Sequence, residues 1–191
     1  MDDLINYLLQ YGQLNQQQIQ LILDNVTERH LKRDEYFSEA GRIPREIGFI
    51  RSGILRVCYF NNKGTEITRY FVDGNRLISD IHSMESKMPS TEYIQAITDC
   101  EMIIFSEDTL RLLSSTILDW DRIIAKIRER AMIEKLDKIA PMLTEDATSR
   151  YLMFMEKFPE LANKVPLSYL ASYLGITQSS LSRIRKQLSK Q

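Results

Sequence analysis

The chain has 191 residues, enough for one large domain or two small ones, and either can bury a core. At 43% hydrophobic and 27% charged residues it is globular rather than disordered, and with no apolar run of bilayer length and no basic-then-apolar leader it is expected to be cytoplasmic with no membrane partner. The net charge of −1 conceals an asymmetry: residues 164–191 carry five cations and no acid, so that segment is +5 and the remainder −6, as expected when an electrostatic footprint is confined to one module.

Residues 2–10 place Leu4, Ile5, Leu8 and Leu9 on one helical face, and Gly12 breaks the pattern. A second helix is expected from Asn15 to about Asn25, with Ile19, Ile22 and Leu23 inward. From Leu31 to about Phe105 the period becomes two. Segments near 47–51, 54–60, 65–72, 93–97 and 101–105 are rich in β-branched and aromatic residues, with turn residues between them. Asn61-Asn62-Lys63-Gly64 marks the clearest hairpin. Many short strands at even spacing imply a small antiparallel barrel or jelly roll, with the polar stretch 79–92 as a loop at its mouth. Cys58 and Cys100 fall in strand-like segments and read as small core residues. Two cysteines and two remote histidines, His30 and His82, cannot supply an iron–sulfur cluster or a structural zinc site, so no metal is expected.

At Ser106 the period returns to 3.6, with Ser106 as a cap and Glu107 and Asp108 against the helix dipole. Leu110, Leu113, Ile117, Trp120, Ile124, Ile127 and Ala131 recur at spacings of three and four, which predicts one long helix over about 107–140. The stripe can pack on its own barrel or form a seam with a second copy. The seam is favoured, with a homodimer interface at Ile117, Trp120, Ile124, Ile127 and Ala131. Pro141 ends or kinks the helix. A fresh helix is expected from about Thr144, with Tyr151, Leu152, Phe154 and Met155 as its apolar face, stopped by Phe158-Pro159. The chain therefore divides into 1–141 and 142–191.

The stretch Val165–Leu188 parses as two short helices around a tight turn. Pro166 suits a first helical turn, Leu167, Leu170, Ala171 and Leu174 recur at helical spacing, and Gly175 stops the helix. Thr177 caps the next helix, which buries Leu181, Ile184 and Leu188. Ala171, then Gly175, then Leu181 is the helix-turn-helix pattern: a small residue at the crossing, a glycine in the turn and a leucine in the angle. Ser168, Thr177, Gln178, Ser179, Ser180, Ser182, Arg183, Arg185 and Lys186 form the candidate DNA-binding set. Small hydroxyls admit the helix to the major groove, Gln and Arg read base edges, and Arg and Lys reach phosphates. An ordinary helical hairpin with a solvated basic face is the bland alternative.

Barrel, long helix and helix-turn-helix in that order, carried by FIRSGILRVCYFNNKGTEIT (49–68) and LASYLGITQSSLSRIRKQL (170–188), resemble the Crp/Fnr family of bacterial transcription regulators. The resemblance implies an α+β chain. Its parts are an N-terminal antiparallel β-roll or jelly roll of cyclic-nucleotide-binding type with flanking helices, a long dimerisation helix and a C-terminal helix-turn-helix domain. It further implies a sequence-specific regulator that binds palindromic operators in double-stranded DNA as a homodimer through residues 177–188, with RNA polymerase as a candidate partner. By alignment, Gln178, Ser179 and Arg183 fall at base-reading positions. Arg183 is the best candidate for a guanine contact. Ser179 stands where many members have Glu, so the usual operator is not implied. The C-terminal hairpin wing common in the family has no counterpart after Leu188.

Cyclic-nucleotide-binding members hold ribose and phosphate with a Gly-Glu pair and an Arg-Ser pair. The matching places here are Ser79-Asp80 and Ser90-Thr91. Asp80 and Thr91 are thus the candidate effector residues, but no arginine remains for the phosphate, which argues against cyclic AMP. No cofactor is expected and the effector is open. The competing reading is a cupin-like small-molecule-binding barrel protein or enzyme. An enzyme needs a metal cluster or an acid–base pair that the scattered histidines and carboxylates do not supply, so none is expected.

Overall fold

The computed structural model describes residues 1–159 and 161–189. Two helices open the chain, α1 (Asp2–Leu9) and α2 (Gln16–Asn25). Asn15 caps α2 in a reciprocal box with Gln18, each side chain accepting from the other's backbone N–H at 2.9 Å. Of the expected apolar faces, Leu4, Leu8 and Ile22 are fully buried, whereas Leu9 is left exposed. Gly12 lets the intervening loop close on a later helix: a Cβ there would lie 2.5 Å from the Ile123 side chain.

Eight strands follow: β1 (Thr27–Leu31), β2 (Tyr36–Ser38), β3 (Glu46–Ser52), β4 (Leu55–Phe60), β5 (Glu66–Val72), β6 (Arg76–Ile78), β7 (Tyr93–Ala96) and β8 (Cys100–Ser106). They form two antiparallel four-stranded sheets, ordered β1-β8-β3-β6 and β2-β7-β4-β5, facing each other as a roll. In the first sheet Ile50, Met102 and Ile104 point into the roll, while the alternating residues Ile47, Phe49, Ile103 and Phe105 point out into a helical layer. In the second, Leu55, Val57, Tyr70 and Val72 fill the roll, and Arg56 and Phe71 point away from it. The β4–β5 turn forms as expected: the Asn61 side chain accepts from the N–H groups of Lys63 and Thr65 at 2.9 and 3.0 Å. Strands β1, β2 and β6 had no clear signal. The stretch 79–92, expected as loop, contains a helix, α3 (Ile81–Ser86), capped by Asp80.

The helix expected over about 107–140 is two helices, α4 (Glu107–Thr116) and α5 (Trp120–Thr144). Ser106 caps α4, accepting from the Thr109 N–H at 3.1 Å. At the break the Trp120 N–H returns to the Ile117 carbonyl at 2.9 Å and Leu118 is thrown outward, 96% exposed. This turn brings Ile117 and Trp120 inward together. They pack with Leu4, Leu8, Phe49, Phe105, Leu113, Ile123 and Ile127 as the core under α1, and Trp120 lies 6.1 Å from Phe105 between ring centroids. Three of the five residues expected at a dimer seam are therefore used within the chain. Ile117, Trp120 and Ile127 are 1%, 2% and 6% exposed and belong to the chain's own core, and Ile124 packs against that core. Ala131 is exposed beside a different apolar row on α5, Met132, Ile133, Leu136 and Leu143, all without cover. Pro141 does not end α5, which runs on to Thr144.

Helicity stops at Glu145 and resumes with α6 (Ala147–Lys157), capped by Asp146. Tyr151 and Phe154 are its buried face, while Leu152 is exposed. After a short turn of helix, α7 (Leu161–Lys164), come α8 (Leu167–Tyr173) and α9 (Gln178–Leu188). The core of this helical group includes Ile54, Phe71 and Ile97 from the roll, with the Phe71 ring centroid 6.0 Å from that of Phe154 and 5.4 Å from that of Tyr173. Among the described residues, no helix is long and apolar enough to cross a membrane.

Candidate nucleic-acid interface

Leu170 and Ala171 on α8, and Leu174 at its C-terminal cap, are buried with Leu181 and Ile184 on α9. Ala171 is small enough for the two helices to meet closely. Gly175 has φ +66°, a left-handed conformation that suits a residue without Cβ. The Ile176 N–H closes back on the Ala171 carbonyl at 3.0 Å, so the turn is sharp and its carbonyls are satisfied.

Thr177 then starts α9. Its hydroxyl accepts from the Ser180 N–H at 3.1 Å, donates to the Ser180 hydroxyl at 2.9 Å and lies 2.9 Å from that of Ser179. The Arg183 guanidinium folds over this cluster, its Nη2 3.4 Å from the Ser180 hydroxyl and its Nε 3.4 Å from the Ser179 carbonyl. The first turn of α9 thus holds an arginine over a bed of short hydroxyls. Ser168, Thr177, Gln178, Ser179, Ser182, Arg183 and Lys186 are exposed, and Ser180 is half-buried under Arg183. Arg185 is placed differently. It is half-buried, with its guanidinium 5.7 Å from the Tyr151 ring centroid, so it braces α9 on α6 as well as bordering the exposed face. The arrangement can present donors to base edges from Arg183 and Gln178, and charge to phosphates from Lys186.

The two effector candidates do not come together as a ligand grip. Asp80 is occupied within the fold: it accepts from the Ser83 N–H at 3.1 Å and from the Ser90 hydroxyl at 2.8 Å. Burial alone would raise its pKa, but these hydrogen bonds outweigh it and hold the carboxyl below its usual value. Thr91 is exposed, and no hydrogen bond joins it to Asp80. Glu92 is half-buried, and burial pushes its pKa up although Arg69 pairs with it. The roll interior between the sheets is filled by Ile50, Leu55, Val57, Ile78, Ile94 and Met102.

A cleft of about 120 Å³ lies between the roll and α5, with Tyr7, Tyr11, Arg76, Arg128 and Lys135 among its walls. Two ion pairs tie its sides together, Arg76–Glu134 at 2.7 Å and Arg128–Glu85 at 2.5 Å. Among the described residues, no group of three His, Cys, Asp or Glu side chains could hold a metal ion.

Sequence reasoning missed two groups. The row Met132, Leu136 and Leu143 carried a readable signal, since its spacings are four and seven. Arg56, Tyr169 and Ser172, which join α8 to the roll, carried almost none beyond an arginine inside the apolar run ILRVC.

Residues 28–116 match the cyclic nucleotide-binding domain family. Solved structures with the same fold include the c-di-GMP responsive global regulator CLP of Xanthomonas campestris, at 16% identity and TM-score 0.73, covering 92% of each chain. FixK2 of Bradyrhizobium japonicum is similar at 17% identity and TM-score 0.72, covering 86% of this chain and 85% of that one. A regulator assigned to the Crp/Fnr family from Eubacterium rectale is similar at 18% identity and TM-score 0.74, covering 96% of this chain and 88% of that one. No curated protein matches the sequence. The chain therefore has the fold of Crp/Fnr regulators: an antiparallel roll with flanking helices, followed by a helical region that fits a helix-turn-helix domain.

Proposed function

We propose that the protein is a DNA-binding transcription regulator of Crp/Fnr type, in which residues 142–191 form the DNA-binding unit and α9 reads the major groove. The observation that carries this reading is the exposed face of α9: Gln178, Ser179, Ser182, Arg183 and Lys186 stand on a helix whose other side is anchored by Leu181 and Ile184. A solvated hairpin needs neither a sharp left-handed turn nor a hydroxyl bed under an arginine. The protein acts as a homodimer on palindromic sites, and the uncovered row Met132, Leu136 and Leu143 on α5 forms the seam.

Cyclic AMP is not the effector in this reading. Asp80 is spent as a helix cap, and no arginine follows at the phosphate position. A small molecule that biases the dimer would enter between roll and α5, where the cleft already links α3, β6 and α5 by ion pairs.

Selection from a random duplex pool with purified protein and no added ligand tests the proposal. Enrichment of a palindrome with half-sites about one helical turn apart is expected. Absence of any enriched motif, with or without cell metabolites, overturns it.

A further inference from the structure

Helix α8 has two working faces. Leu170, Ala171 and Leu174 hold α9, while Tyr169, Ser172 and Tyr173, spaced i, i+3 and i+4, turn toward the second sheet of the roll. There they meet an arginine that has no place in an isolated roll. Arg56 is 1% exposed and points outward from β4. Its guanidinium donates to both carboxylate oxygens of Glu66 at 2.8 and 3.1 Å, to the Gln95 side-chain carbonyl at 2.6 Å and to the Thr68 hydroxyl at 3.3 Å. The Tyr169 ring closes over it, 3.4 Å from guanidinium carbon to ring centroid. One turn on, the Ser172 hydroxyl accepts from the Thr68 N–H at 2.9 Å, on β5 at the edge of its sheet.

A buried guanidinium is costly unless its charge is paired and its partners are fixed, and here Glu66 pairs it. Three strand residues, Glu66, Thr68 and Gln95, supply polar partners to the two terminal nitrogens, Nε has none, and α8 supplies the Tyr169 ring as the lid. The same helix carries α9 on its opposite face. The roll therefore sets the orientation of the reading helix through one rigid intermediary, bypassing the non-helical joint at Glu145.

We propose that Arg56, Tyr169 and Ser172 form a latch that locks the DNA-reading helices to the roll. In a dimer, the half-site spacing that is accepted is then fixed by the two rolls and not by play in the joint after α5. The spacing part of the proposal rests on the DNA-binding reading above; the latch itself does not.

The test uses the full chain with substitutions on α8, because removing Arg56 would leave Glu66 and Gln95 without their partner and endanger the roll. Tyr169→Ala combined with Ser172→Ala should speed hydrogen exchange at the Thr68 amide by about tenfold or more, with the Met102 and Ile104 amides unchanged. On the selected operator, inserting a base pair between half-sites should weaken wild-type binding by about tenfold and the double variant by about threefold or less. Tyr169→Phe keeps the ring that covers Arg56 and should behave as wild type in both measurements. Unchanged Thr68 exchange in the double variant overturns the latch whether or not the protein binds DNA. Faster exchange with an unaltered spacing penalty overturns its role in spacing. A wild-type protein that binds no DNA defeats the regulator reading and leaves the exchange result to decide the latch.

Discussion

Leu136→Ala separates the two faces of α5. Leu136 is 57% exposed in the single chain, so truncation removes little that the folded protomer uses. Burying a whole leucine side chain contributes about 1.5–3 kcal/mol, and somewhat over half of that remains to be gained when a partner covers this residue. With two copies per dimer the loss is about 2–3 kcal/mol, which raises the dimer dissociation constant by about 30- to 150-fold. Sedimentation velocity over a dilution series reads this directly, and thermal unfolding of the variant well below its Kd should match that of the wild-type protomer. Trp120→Ala is the contrast: that side chain is 2% exposed in the core under α1, and its loss should cost about 3–5 kcal/mol of protomer stability. A Leu136→Ala protein that dimerises as tightly as wild type would place the seam elsewhere and refute the assignment.

Arg183→Ala should relax discrimination at one base pair of the half-site by about 1–3 kcal/mol, measured against a panel of single-substitution operators; an unaltered preference profile removes it from base reading. Lys186→Ala should weaken all sequences alike and flatten the salt dependence by about one counterion per subunit, so an unchanged slope of log K against log salt excludes a phosphate contact. Asp80→Ala should destabilise the fold by about 1 kcal/mol near neutral pH through loss of the α3 cap. Because the folded carboxyl titrates below its usual value, the wild-type advantage is full above the ordinary carboxylate pKa and is lost as pH falls through the depressed one. A gap in denaturant midpoint that stays constant into strong acid would show that the charge contributes nothing.

Where the signal was local, the sequence was enough. The Asn61 turn is built from its own side chain, and the Ala171–Gly175–Leu181 spacing encodes a crossing, a turn and a plug within one short segment. The stripe on α4 and α5 could not be assigned to one surface from periodicity, for a physical reason. Periodicity reports that Ile117, Trp120 and Ile127 are buried, but a chain's own core and a second copy present the same apolar demand. The neighbouring row was obscured because Arg122 and Glu129 interrupt its earlier turns. Helix α3 was hidden by polar composition: its stability rests on the Asp80 cap and on Met84 reaching the helical core, neither of which is periodic. Arg56 was the least legible. A strand alternating in and out offers it an outward position, and only the later arrival of α8 turns that position into an interior one.

The inclusion of Phe71, Ile54 and Ile97 in the core of the C-terminal helices bears on how the chain can come apart. Excising residues 142–191 would leave those three side chains, together with Arg56, facing water on a sheet face never finished as a surface. Melting of the two regions is thereby coupled, and calorimetry should record one cooperative transition instead of two. It also limits modularity: C-terminal helices transplanted onto another roll would have to find there a counterpart of Phe71, because the roll here is completed by the helices that follow it.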